Sequence, residues 1–140
     1  VAFKATSAAS GTLASGANID RIFATEVFDP ANAYNPATGV FTAPATGLYQ
    51  FIVTTEFNGN GTTPAGYAQL SFKINGASLA TTYAEMVPPA VNTFWTFTHT
   101  TIVQLNAGDQ VIPNLSNSTG VSLPMSGTST WAQFSGHLIR

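Results

Sequence analysis

Two histidines, His99 and His137, on separate predicted strands, are the chain's whole supply of side chains that ordinarily change charge near neutral pH. Nucleophilic catalysis needs a nucleophile, a base and an orienting group in contact, and neither histidine has a partner suggested by the sequence. Gly76-Ala77-Ser78-Leu79-Ala80 half-matches a nucleophile elbow. Such an elbow belongs on a strand-to-helix turn, however, and these residues sit in what reads as a β-hairpin. Paired carboxylates for glycoside hydrolysis would have to come from six scattered acids. Two of them, Asp29 and Asp109, lie among turn residues, where capping is the ordinary job. Gly59-Asn60-Gly61 has the glycines of a phosphate-cradling loop, but no helix follows to lend its N-terminus. No Asp-x-Asp-x-Asp run offers calcium its oxygens, and two isolated histidines read as half-buried fillers rather than zinc ligands. Three Asn-x-Ser/Thr sequons begin at Asn60, Asn114 and Asn117. In a chain this rich in Ser and Thr they arise by chance and say nothing about secretion. The residues point to a protein that is not an enzyme and takes no metal or other cofactor.

The elements that would hold these residues follow from composition. The chain has 140 residues, the size of one domain, so 1–140 is read as a single unit able to bury a core. Hydrophobic residues make up 44% and aromatics 11%, which excludes disorder. Charged residues make up 7%, against about 25% in an ordinary domain. Four scattered cations at a net charge of -2 cannot neutralise a run of phosphates, so no nucleic acid partner is expected. No stretch of 18 apolar residues exists to insert into a membrane, no signal peptide is visible, and the absence of cysteine leaves the compartment open. Counting gives 20 Thr, 11 Ser and 10 Asn but only three Glu and two Lys, a balance that favours strands and turns over helices. The class is all-β. The low charge has a simple explanation, an uncharged hydroxyl-rich surface, and a sharper one, that other subunits cover part of the exterior.

Gly, Pro and Asn punctuate the chain every ten to fifteen residues, with period-two alternation between them, and about ten strands are expected. These cover 1–5, 22–28, 40–43, 47–57, 67–74, 78–83, 94–105, 110–115 and 131–140, with 7–17 a small-residue loop. The longest, 47–57, puts Tyr49, Phe51, Val53 and Thr55 on the face better suited to a core, and Leu48, Gln50, Ile52 and Thr54 on the other. Phe72 and Phe134 should join that core. Asn75-Gly76 is a two-residue hairpin signal, and Val87-Pro88-Pro89-Ala90 must be a loop or an edge.

Phe23, Asp29, Tyr34, Phe41, Gly47, Tyr49 and Phe51 coincide, without a gap, with the signature of the C1q-like globular domain. The chain departs where the family has a final aromatic and this sequence has Val53. Val1-Ala2-Phe3 resembles the family's opening strand, Asn106-Ala107-Gly108-Asp109 its Gly-Asp turn, and Phe134-Ser135-Gly136-His137-Leu138 its closing strand. The resemblance implies a jelly-roll sandwich of about ten strands in two antiparallel sheets, with both termini at one end, assembling as a homotrimer in the C1q/TNF-like superfamily. Physically, Gly47 lets the long strand begin tightly, Tyr49 and Phe51 share a core face, and Tyr34 and Phe41 brace the turns before it. With no Gly-X-Y run and no heptads, the chain reads as a head excised or processed from a carrier.

The expected function is a non-enzymatic trimeric recognition or display head of an extracellular, cell-surface or virion-surface protein, binding a glycan or protein ligand. A purely structural trimerisation tip of a stalk or fibre is the alternative. Candidate ligand contacts lie on the loops 58–66 and 85–93, at Asn58, Asn60, Thr62, Thr63, Glu85 and Asn92. Met86, Trp95 and Phe97 are the expected contributors to the trimer interface. Only one acid, Glu85, lies between Lys73 and Asp109, too few oxygens for a calcium ion on a threefold axis.

Overall fold

The computed structural model describes residues 1–140 apart from 8, 9, 60, 62, 91 and 127–130, and the side chains of 79 and 80. Its strands are β1 (Ala2–Thr6), β2 (Gly11–Leu13), β3 (Asn18–Asp20), β4 (Thr25–Phe28), β5 (Tyr34–Asn35), β6 (Val40–Thr42), β7 (Gly47–Asn58), β8 (Ala68–Ile74), β9 (Ala77–Met86), β10 (Phe94–Leu105), β11 (Gln110–Asn117), β12 (Leu123–Met125) and β13 (Gln133–Leu138). No helix occurs among the described residues, and every strand pair is antiparallel. Thirteen strands are seen among the described residues, where about ten were expected. The additional ones are two or three residues long, too short to show a period, and are defined by their partners: β3 exists because Asn18–Asp20 lie along Ser116–Asn114 of β11. Of the expected strand 22–28, only Thr25–Phe28 pairs, against β1.

The first sheet is built around β7. β10 flanks it along its whole length, from Phe94 opposite Asn58 to Leu105 opposite Gly47. On its other side β13 sets Gly136 against Phe51, followed outward by β1 and β4, while β12 and β2 extend the sheet beyond Phe57. The second sheet runs β5-β6-β11-β8-β9, with β3 also on β11. Asn75 and Gly76, at φ 52° and 79°, close the β8–β9 hairpin in the left-handed conformations that two-residue loops require.

Between the sheets lies an aromatic core. Tyr49, Phe51, Val53 and Thr55 point inward from β7, as their alternation requires, and Phe3, Phe23, Phe41, Phe72 and Phe134 join them. Gln50 is half-buried on the opposite face. The Phe3 ring stacks on Tyr34 at 5.0 Å and on Phe41 at 4.9 Å, and Phe41 meets Phe51 edge-on at 5.2 Å. The signature residues are thus scaffold. Tyr34 donates its hydroxyl to the Phe23 carbonyl (2.8 Å), and Asp29 accepts the Tyr34 amide (2.7 Å), capping that turn. Gly47 does not adopt positive φ; a Cβ there would run into the Arg140 carbonyl, so its role is close approach.

The two ends of the sandwich differ. Leu138 N donates to Val1 O and Leu48 N to Arg140 O, both at 3.0 Å, so the termini share one end with the turns around 43–47 and 106–109. β7 and β10 run from there to the opposite end, roughly 35 Å away.

Candidate functional site

At the end far from the termini, the two loops singled out in the sequence come together. Gly59 N donates to Thr93 O (2.9 Å), and the Asn92 side chain lies against the backbone of Gly61. Beside them, Ala65 N donates to Thr119 O and Ser118 N to Tyr67 O, each at 2.9 Å, which seats the loop after β11 in the same cluster. Asn58, Thr63 and Asn92 are all exposed here, whereas Asn60 and Thr62 lie outside the described residues. Glu85 is not part of the tip. It sits on the outer face of the second sheet, where it accepts a hydrogen bond from Gln69 Nε2 (3.1 Å).

Sequence reasoning missed three residues of this end. Tyr67 and Val87 flank the last β8–β9 pair, Ala68 opposite Met86, and Phe94 opens β10 opposite Asn58; they are 41%, 68% and 61% exposed. Large apolar residues at the boundary between a strand and a loop were the available signal, but alternation counted Tyr67 and Phe94 as strand members, and Val87 was placed in a loop or edge for its prolines alone.

The residues of β10 expected at an interface turn toward the subunit's own interior. Trp95 and Phe97 point into the sandwich: Trp95 stacks on Phe57 at 4.4 Å and Phe97 is only 6% exposed. Both therefore hold the subunit's own core, and Met86 is half-buried against it. The outward residues of β10 are the alternate ones, from Phe94 through Thr96, Thr98 and Thr100 to Ile102. With Leu48, Ile52 and Phe28 they lie on the outer face of the first sheet, where a shallow depression of about 290 Å³ on the β13 side is lined by Lys4, Phe28, Gln50, Ile52 and His137. The outer face of the second sheet is different in kind. It carries the Lys73–Asp20 pair (2.7 Å), Asn114 bonded to Asp20 and Asn18, and the Glu85–Gln69 contact. Burial raises the Asp20 carboxyl, but hydrogen bonds from Lys73 and Asn114 and the Lys73 charge outweigh it and leave its pKa below the ordinary value.

No reactive constellation forms among the described residues. His99 lies beside the Phe72 ring with its Nε2 2.9 Å from the Thr82 carbonyl, tying the edge of one sheet to the edge of the other. Burial pushes its pKa down, against the opposing effect of that hydrogen bond. Ser78 pairs opposite Lys73 inside a β-hairpin, so no elbow exists there. Asp109 caps its turn by accepting Asn106 N (2.7 Å). Hydrogen bonds from Asn75 and from the Asn106 backbone hold its carboxyl below the ordinary range. Tyr34, buried in the core, has its hydroxyl pushed up to about 12. Arg21 is buried beneath the surface with its guanidinium 5.6 Å from the Phe23 ring, and burial lowers its pKa. No group of three His, Cys, Asp or Glu residues converges among the described residues. The sequons at Asn114 and Asn117 are structural: both amides are buried, and Asn117 Nδ2 donates toward the carbonyls of Leu13, Ala14 and Val121 while its Oδ1 accepts from Thr119.

Solved structures share this architecture. The globular domain of zebrafish complement 1qA aligns with TM-score 0.70 at 18% identity, over 99% of this chain and 97% of that one. Eiger TNF from S. frugiperda gives TM-score 0.67 at 11% identity (100% and 92% covered), and murine APRIL 0.68 at 10% (99% and 98%). No curated protein matches the chain in sequence. At such identities the structures establish the fold, a C1q/TNF-like jelly roll. The family model of the C1q domain matches residues 2–139, nearly the whole length and including every signature position, and the chain belongs to the C1q domain family.

Proposed function

We propose that this chain is the non-enzymatic, homotrimeric recognition head of an extracellular, cell-surface or virion-surface protein, and that it meets its ligand, a glycan or a protein, with the end opposite its termini. The observation that carries the reading is the contrast between the two outer faces. The second sheet shows solvent the Lys73–Asp20 pair and the Glu85–Gln69 contact; the first sets Phe28, Leu48, Ile52 and a 56%-exposed Ile102 among uncharged threonines such as the hydrogen-bonded Thr54 and Thr98. Large apolar side chains exposed among hydroxyls suit burial against another subunit, and two further copies of the chain are the occupants that the family and the fold support. Each pair of subunits should bury about 800 Å² per partner with an apolar centre. Both termini then leave from one end, toward a carrier, and present the loop cluster away from it.

Sedimentation at micromolar concentration tests the assembly. The expected mass is three times the 14.6 kDa of the chain. Ile102→Glu, which places a carboxylate in the covered face without touching the subunit core, should yield a folded monomer. A wild-type protein that sediments as the 14.6 kDa monomer overturns the reading.

A further inference from the structure

Of the two histidines, His99 ties the sheets together within the subunit, whereas His137 is exposed on the face that a second copy would cover. On β13 Phe134 is a core residue, so the alternation turns Ser135 and His137 to the outer face of the first sheet. On β1 the core residues Phe3 and Ala5 turn Lys4 the same way. The register sets Lys4 opposite Ser135 and Ala2 opposite His137. Lys4 and His137 are therefore diagonal neighbours on adjacent strands, with Cβ atoms roughly 7 Å apart. Both line the depression on that face, together with Gln50 and Ile52 from β7 and Phe28 from β4.

Strands β1, β4, β7 and β13 are described throughout, so the charges around His137 can be placed. From β1 comes Lys4. On β4, Glu26 lies opposite the core residue Ala5 and so on the other face, and Asp29, just after β4, accepts the Tyr34 amide. On β7 the neighbours are Gln50 and Ile52; Glu56 is buried six residues beyond Gln50, about 20 Å along the strand. At the near end stand the Val1 amino group and the Arg140 guanidinium, held there by Leu138 N on Val1 O and Leu48 N on Arg140 O. The charges nearest His137 are thus positive, and its apolar walls are Phe28 and Ile52. A neutral ring here is covered at little cost. An imidazolium would lose its hydration beside a like charge, and both penalties grow as water is excluded.

From the placement of His137 beside Lys4 in this depression we infer that the assembly is acid-sensitive: the head is trimeric at neutral pH and releases its subunits in mildly acidic surroundings. The inference rests on the trimer proposed above, whose contact face is this one. Imidazoles ordinarily gain their charge between about pH 7.5 and 5.5. The separated subunit takes up a proton that the covered face resists, so a falling pH favours separation. Each site contributes up to about tenfold per pH unit, and three sites on one trimer up to about a thousandfold in its dissociation.

Subunit exchange tests it. Trimers of ordinary and of heavy-isotope-labelled chain are mixed at about pH 7.5 and about pH 5.5, and native mass spectrometry follows the mixed trimers that form. Exchange should be at least about tenfold faster at the lower pH. His137→Gln should remove most of that acceleration, and Lys4→Glu, which sets a carboxylate beside the ring, should reduce or reverse it. His99→Gln should keep it, which separates the contact face from the subunit's own stability. Melts at neutral pH establish that each variant is folded. Equal exchange rates at the two pH values, slower exchange in acid, or a folded His137→Gln or Lys4→Glu trimer that accelerates as the wild type does would each overturn the inference. A wild-type trimer whose exchange ignores pH sinks this inference alone, whereas a monomer in sedimentation at neutral pH sinks the assembly as well.

Discussion

Phe51 is the side chain whose loss the fold should feel most clearly. It is fully buried at the centre of β7 and touches rings on both sheets: Phe41 at 5.2 Å, Phe134 at 5.9 Å, Phe72 at 6.0 Å and Tyr49 at 6.1 Å between centroids. Phe51→Ala removes that burial and leaves a cavity in a close-packed aromatic layer, at a cost of about 3–5 kcal/mol. An unfolding entropy of roughly 2.1 cal/mol/K per residue converts this into a fall in Tm of about 10–17 °C for a chain of this length. The residue opposite Phe51 sharpens the test. A Cβ on Gly136 would come within 2.5 Å of the Phe51 ring and 2.9 Å of Phe3, so Gly136→Ala alone should overpack the core by about 1–3 kcal/mol. In the double variant the new methyl group occupies space the ring has vacated, and the combined loss should be smaller than the sum of the two by more than about 0.5 kcal/mol. Denaturant and thermal melts of the four proteins at one concentration measure all of this; equal concentration matters because assembly adds to apparent stability. If Phe51→Ala melts within about 2 °C of the wild type, the register of β7 against β13 is wrong. Additivity of the two losses would show that the side chains do not meet.

Three further outcomes are expected. Burial holds the His99 pKa below its ordinary value, so the unfolded chain takes up the proton first. Stability should be complete above about pH 6.5, fall as the pH drops through that value and level off below the folded-state pKa; denaturant melts at several pH values should show a slope that His99→Gln reduces. Asn117→Ala strands the carbonyls of Leu13, Ala14 and Val121 and should cost about 2–4 kcal/mol, read as a lower midpoint in urea, and an unchanged midpoint would remove Asn117 as a fastener. Assembly and Tm should be the same in chelator and in added calcium, since Glu85, the one acid between Lys73 and Asp109, lies on the flank of the second sheet; a Tm that falls by about 10 °C in chelator and returns with calcium would contradict this.

The parts of the fold legible in the sequence are those set by local pattern. A twelve-residue alternation such as Gly47–Asn58 fixes which side chains share a face, because the period of a strand is two wherever it runs, and Asn75-Gly76 fixes a hairpin because two left-handed residues are what that turn needs. The signature from Phe23 to Phe51 was readable for the same reason: its members are spaced along one stretch of chain, and each serves the packing around it. Which face of β10 turns inward was not readable, since Phe94, Trp95, Phe97, Ile102 and Val103 put apolar groups on both; the decision belongs to the pairing of Phe97 with Thr55 on β7, 42 positions earlier. The short β2, β3 and β12 depend on partners distant in sequence in the same way. So does the candidate site. Asn58 and Asn92 are each ordinary loop residues, and only the full-length pairing of β7 with β10 brings Gly59 to Thr93 and gathers both loops at the end away from the termini. Composition announced that charge is scarce, but where the remaining charges sit was left to the packing of the two sheets, which brings Lys73 to Asp20, 53 positions earlier.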